Sequence, residues 1–88
     1  FRALVIYNEA PNFSAGANLA HALQQIQDGA WDLLASQTER GQRAFKALKY
    51  APFPVVAAPA GLALGGGCEI CLNANAVQAH AETYIGLV

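Results

Sequence analysis

Chemistry in this sequence concentrates around one carboxylate. Gly65-Gly66-Gly67 runs into Cys68 and Glu69, and Glu69 and Glu82 are the only charged side chains from Tyr50 to Val88. Glycine lets a backbone approach a ligand closely and adopt conformations closed to other residues. Where such a bend opens a helix, its first N–H groups have no partner inside the helix, and the dipole favours negative charge there. A phosphate or a reaction oxyanion suits that position, and so does plain close packing of a helix start against a strand. A carboxyl among apolar neighbours favours its neutral form and can move protons near neutrality. An acidic residue in the first turn of a helix can equally serve the dipole alone. The apolar residues on both sides of Glu69 lead us to expect it buried.

A second small-residue loop, Ser14-Ala15-Gly16-Ala17-Asn18, has the same character. Two such loops can aim two N–H groups at one carbonyl oxygen, the arrangement that stabilises developing negative charge. Taken alone, the loop is a connection from strand to helix. Dinucleotide and P-loop phosphate binding fit poorly, because no G-x-G-x-x-G follows the first strand and no Lys-Ser or Lys-Thr follows the glycines. Cys68 and Cys71 match C-x-x-C, yet there is no second pair, and His21 and His80 are isolated, so no metal site is assigned. The two thiols are expected to be small buried groups on one helix face. No role is assigned to His21 or His80, and Ser14 and Ser36 lack the setting of a nucleophile.

The elements that hold these loops are legible from periodicity. Leu4-Val5-Ile6-Tyr7 reads as a buried strand and Asn8 to Asn12 as a turn. Asn18 is placed to cap a helix carrying Leu19, Leu23, Ile26, Ala30, Leu33 and Leu34 at three- and four-residue steps, with Gln27-Asp28-Gly29 as a break. A further helical stretch has Ala44, Phe45 and Leu48 on one face and a Glu39–Arg43 pair, and ends before Pro52. Val55 to Ala58 is a buried strand, Pro59 to Gly61 a turn, and the glycines enter a short helix. Ala76 to Ala79 and Thr83 to Val88 are two more strands. Strands alternating with helices give an α/β fold.

Composition sets the limits. The chain has 88 residues, 55% hydrophobic and 12% charged, with a net charge of −1. That is one domain at most; the balance excludes disorder and leaves no basic footprint for nucleic acid or an anionic membrane. The uncharged window from Tyr50 to Cys68 is broken by Pro52, Pro54, Pro59, Gly61 and the triple glycine, so no membrane span is expected. A charge-poor second half implies cover by other chain. The first and last residues fall inside strand-like runs, so we expect residues 1–88 to be part of a larger domain.

With both motifs in order, Phe13-Ser14-Ala15-Gly16-Ala17-Asn18-Leu19 and the run from Pro54 to Glu69, the chain resembles the enoyl-CoA hydratase/isomerase (crotonase) superfamily over nearly its whole length. Residues 75–88 resemble most the hydratase portion of bacterial proteins that also carry a 3-hydroxyacyl-CoA dehydrogenase. The resemblance implies a crotonase-like spiral of ββα turns, here an incomplete fragment without its N-terminal strands and everything after Val88. It implies an oxyanion hole from the backbone N–H groups of Ala17 and Gly66, and Glu69 as the first of two catalytic glutamates. The second would follow Val88 directly, so the fragment alone is expected to be inactive. Ala15, Ala17, Leu19 and Gly65 would contact the coenzyme A substrate. Hydration of enoyl-CoA in fatty-acid β-oxidation is the implied reaction; the alternatives are isomerisation, dehalogenation or thioester hydrolysis by the same scaffold, or a silent assembly module. No cofactor is implied for hydration, and NAD only with a fused dehydrogenase domain. A cytoplasmic homo-oligomer, trimer or hexamer, or a fused multidomain protein is implied. Asn18 stands where many members have Asp, Ala20 replaces a frequent basic residue, and Asn75 sits at a position often Asp, which bears on the grip of the coenzyme rather than on the reaction.

Overall fold

A computed structural model describes residues 2–87. Its elements, in order, are β1 (Leu4–Tyr7), α1 (Leu19–Gln27), α2 (Trp31–Lys49), β2 (Val55–Ala58), β3 (Leu62–Leu64), α3 (Gly66–Asn73), β4 (Ala76–Val77) and β5 (Tyr84–Gly86). The strands form two parallel sheets, β1-β2-β4 and β3-β5. Parallel neighbours require a crossover, and the helices supply it: α1 and α2 link β1 to β2, and α3 lies between β3 and β4.

β2 is the central strand. Leu4 pairs with Val55 and Tyr7 with Ala58 on one side, and Val56 pairs with Ala76 on the other. Its residues alternate between fully and partly buried, as a strand with two unequal faces should. Val55, Ala57 and Pro59 on the inner side, Ala63 of β3, and Cys68 and Cys71 of α3 make the core. These are small residues, so the backbones pack closely and the core is thin.

Three asparagines fasten the turns between strands. Asn8 donates to the Ala60 carbonyl at 3.2 Å and accepts the Ala60 N–H at 3.0 Å. Asn12 accepts the Leu62 N–H at 3.0 Å, and Asn75 the Val55 N–H at 2.7 Å. Each satisfies a main-chain group at a point where the ladder does not.

The helices largely follow expectation. Asn18 caps α1, its side chain accepting the His21 N–H at 3.1 Å. The break falls at Asp28 and Gly29, and α2 then runs unbroken from Trp31 to Lys49, joining two stretches that the sequence suggests separately. The Glu39–Arg43 pair is present at 3.8 Å on the exposed side. β4 stops at Val77 and β5 covers Tyr84–Gly86, shorter than expected; Val88, the end of the expected last strand, lies outside the described residues. Among the described residues nothing covers the apolar stripe of α1: Leu19 is 78% exposed and Leu23 55%, while Gln25 is the buried residue of that helix. α1 meets α2 through the Ala22 and Gln25 side, so its apolar stripe faces away.

Candidate functional site

The two glycine-containing bends lie side by side. Phe13 and Ser14 run along β3: Phe13 N–H donates to Ala60 O at 3.0 Å, Ser14 N–H to Leu62 O at 2.9 Å, and Leu64 N–H to Ser14 O at 2.8 Å. That pairing continues the second sheet by a bridge between Ser14 and Ala63. It brings the 14–18 loop against the turn from β3 to α3, over some fifty residues of separation that the sequence leaves open.

Two positions make the approach possible. Gly65 has φ +55° and ψ −118°, and a Cβ there would lie 3.6 Å from Gly16 Cα. An L side chain in that conformation is strained. At Gly67 the limit is space, since a Cβ would lie 2.7 Å from Ser14 Cβ. The glycine run therefore serves close packing, one of the two readings that the sequence leaves open.

Gly65 is the N-cap of α3 and its own N–H is taken by Gly86 O at 3.0 Å. Gly66 is the first helical residue, and its N–H has no intrahelical partner. Among the described residues neither the Gly66 N–H nor the Ala17 N–H donates to any group. Both residues line a cavity of about 420 Å³ that Glu69 also lines. A neighbouring recess of about 220 Å³ is bordered by Ala15, Ala17, Leu19 and Gly65, with Gly16 and Leu64. All six residues singled out from the sequence thus surround two adjoining hollows.

Glu69 lies in the first turn of α3 and is half-buried rather than buried. One turn on, Asn73 donates to its main-chain carbonyl at 2.8 Å. Glu69 is among the residues that line the cavity. Cys68 and Cys71 are free and buried on the inner side of α3, which fits the packing role expected of them. Burial pushes the Cys71 thiol pKa up, and the neighbouring Cys68 adds to the shift. Among the described residues no group of three His, Cys, Asp or Glu side chains is placed to hold a metal ion, and no helix is long and apolar enough to cross a membrane.

The opposite wall comes from α2: Thr38, Gly41, Gln42 and Phe45. The sequence marks Phe45 only as part of an apolar helix face and gives the other three no role. The available signal was a heptad face, Leu34-Thr38-Gly41-Phe45-Leu48, in which Thr and Gly replace the large apolar residues expected. A glycine inside a helix costs about 1 kcal/mol relative to alanine, so its place in that face calls for a reason. Chemically, two residues with unengaged main-chain N–H groups and one carboxyl-bearing residue line the same cavity, a set of groups that can serve a carbonyl compound whose oxygen gains charge during reaction.

The sequence profile of the enoyl-CoA hydratase/isomerase family matches residues 1–88. The chain is 46% identical, over its whole length, to a probable 3-hydroxyacyl-CoA dehydrogenase of Bacillus subtilis, of which it covers 11%. It is 41% identical over 97% of its length to a putative fatty acid oxidation complex trifunctional enzyme of Rickettsia prowazekii, covering 12% of that protein. The chain thus spans about a tenth of the length of these curated relatives. Among solved structures, an enoyl-CoA hydratase from Rhodobacter sphaeroides superposes on 98% of the chain with a TM-score of 0.90 at 22% identity, the chain covering 26% of it. A putative enoyl-CoA hydratase from Streptomyces coelicolor gives 0.82 at 28% identity over 93% of the chain, and 30% of that structure is covered. The element order is accordingly a segment of the crotonase-like spiral.

Proposed function

Because this chain belongs to the enoyl-CoA hydratase/isomerase family, we propose that it supplies the oxyanion hole and one of two acid–base carboxylates of an enoyl-CoA hydratase acting in fatty-acid oxidation. The observation that carries the reading is the cavity shared by Ala17, Gly66 and Glu69, with the first two N–H groups unengaged among the described residues.

The thioester carbonyl oxygen accepts from the Ala17 and Gly66 N–H groups. As water oxygen bonds to C3 of the 2,3 double bond, the electron pair moves through C2 onto that oxygen. The two donors stabilise this charge, at about 3 kcal/mol each. Glu69 orients the water and takes its proton, and C2 is then protonated as the carbonyl re-forms. A second carboxyl group completes the proton transfers. The recess bordered by Ala15, Leu19 and Gly65 takes the coenzyme A portion. Residues 1–88 form part of a larger catalytic domain, and the 3-hydroxyacyl-CoA dehydrogenase and trifunctional names of the relatives support a fused dehydrogenase that would use NAD on the hydration product. The intact protein is cytoplasmic and either multidomain or a homo-oligomer.

The test is crotonyl-CoA hydration by the intact protein and its Glu69→Gln variant. A fall in kcat of about 10²–10⁴ with unchanged thermal stability is expected. Turnover unaffected by the change removes Glu69 from the mechanism; no hydration by the wild type favours another reaction of the family.

A further inference from the structure

Residues 12–14 run beside β3, and the first bond between them is made by a side chain. Asn12 Oδ1 accepts the Leu62 N–H at 3.0 Å, Leu62 O accepts the Ser14 N–H at 2.9 Å, and Ser14 O accepts the Leu64 N–H at 2.8 Å. In an evenly spaced parallel ladder the Leu62 N–H would fall to the main-chain carbonyl of residue 12. Here the side chain of that residue takes it, and the chain leaves the ladder at Asn12. The fit at this point is close. Gly61 has φ +72°, and a Cβ on it would collide with Pro11 O and lie 2.7 Å from Asn12 Oδ1.

Both bends of the candidate oxyanion hole are reached from this ladder. Ala17 follows Ser14 by three residues, and the loop between is tied back where Ser14 Oγ accepts the Gly16 N–H at 3.2 Å. Gly66 follows Leu64 by two residues, through the N-cap Gly65. The register of residues 12–14 on β3 thus sets how the two bends lie against each other. One residue along a strand is about 3.3 Å, far more than a hydrogen bond tolerates. Every partner in the ladder lies among the described residues, so the relation needs no neighbouring chain.

We propose that Asn12 is a positioning residue for the oxyanion hole: its side-chain carbonyl, by taking the Leu62 N–H, fixes the register that sets the Ala17 N–H beside the Gly66 N–H. This rests on the oxyanion-hole reading of the site. Asn12 lines neither hollow there and acts through the 14–18 loop. The main-chain bonds that remain without it hold the strand, while the loop loses its fixed start.

The assay is crotonyl-CoA hydration by the intact protein. A second readout is the isotope-edited infrared C=O stretch of bound butyryl-CoA, since hydrogen bonds to a carbonyl lower its frequency. Asn12→Ala should lower kcat about 10–100-fold, the cost of misplacing a donor by up to about 1 Å, with KM within about threefold. It should also lose part of the downward shift of the stretch. Asn12→Asp keeps an acceptor oxygen in the same place and should return the full shift and a kcat within about threefold of wild type. Asn12→Gln holds its amide one methylene further out and should fall with Asn12→Ala, which keeps the test readable where the alanine variant folds poorly. Thr83→Val removes the Thr83 Oγ1 bond to Pro59 O, 2.9 Å long and beside the same turn, and should lower stability while leaving kcat and the stretch unaltered. Normal kcat and a full shift in Asn12→Ala and Asn12→Gln overturn the proposal and leave the oxyanion hole standing. So does a loss of kcat that Asn12→Asp fails to restore, that Thr83→Val reproduces, or that comes without a change in the stretch. A wild-type stretch no lower than that of free butyryl-CoA overturns the oxyanion-hole reading and the positioning role with it.

Discussion

Gly66→Pro isolates one hydrogen-bond donor. Proline at the first position of a helix is well tolerated, because its fixed φ suits the helix and the N–H it lacks has no intrahelical partner. Gly66 holds that position in α3, directly after its N-cap Gly65. Among the described residues its N–H makes no hydrogen bond whose loss would destabilise the fold. Side-chain space is adequate, since the nearest atom to a Cβ there is Phe45 Cζ at 3.9 Å. Stability should hold or rise by up to about 1 kcal/mol, as the unfolded chain loses freedom. Activity should behave differently. Removing one of two oxyanion donors costs about 3 kcal/mol in the transition state, or about 10²–10³ in kcat. The ring carbon that replaces the hydrogen also pushes the acceptor oxygen back, so this loss is a lower bound. Gly66→Ala keeps the donor and should stay within about threefold of wild type. The assay is crotonyl-CoA hydration by the intact protein, with thermal unfolding on the same samples. Gly66→Pro folding normally and retaining more than a tenth of wild-type kcat would refute the donor role.

Gly67→Ala sets a Cβ 2.7 Å from Ser14 Cβ and 3.1 Å from Ser14 O, and should destabilise by about 1–3 kcal/mol in urea titration, with kcat falling as the 14–18 loop moves. Asn8→Ala removes both bonds to Ala60 and should cost about 1–3 kcal/mol by the same measurement, with little change in KM. The Cys71 thiol pKa is raised in the fold by burial and then by Cys68, so the unfolded chain ionises first as pH rises. Its contribution to stability is complete below the ordinary value of 9.0 and is lost as pH climbs through the higher folded value. Urea midpoints measured upward from pH 8 should therefore decline, and Cys71→Ala should flatten the decline; an unchanged slope would contradict that assignment.

Local signals carried far in this sequence. Asn18 as a cap, the break at Asp28-Gly29, the strand Val55–Ala58 and the helix opening at Gly66 each follow from residues within one or two turns, and all are present. What was illegible depends on partners distant in the chain. Asn8 looks like turn punctuation until Ala60 is beside it, and the pairing of β3 with β5 leaves no mark in either strand. Periodicity identifies the apolar stripe of α1 but not what it faces, so Leu19 and Leu23 could not be known to lie exposed. Glu69 illustrates the same limit, since apolar neighbours in sequence suggested burial while the cavity beside it leaves it half-open. The α2 wall escaped because a Gly and a Thr inside a helix are weak signals until the space beside them is visible.

A crystal structure of the intact protein with a saturated acyl-CoA bound decides whether the two main-chain amides share one acceptor. The thioester oxygen should lie about 2.7–3.1 Å from both the Ala17 and Gly66 nitrogens, with the Glu69 carboxyl beside the carbons that react. An oxygen held by only one of those nitrogens, or a thioester seated away from the cavity they share, would contradict it.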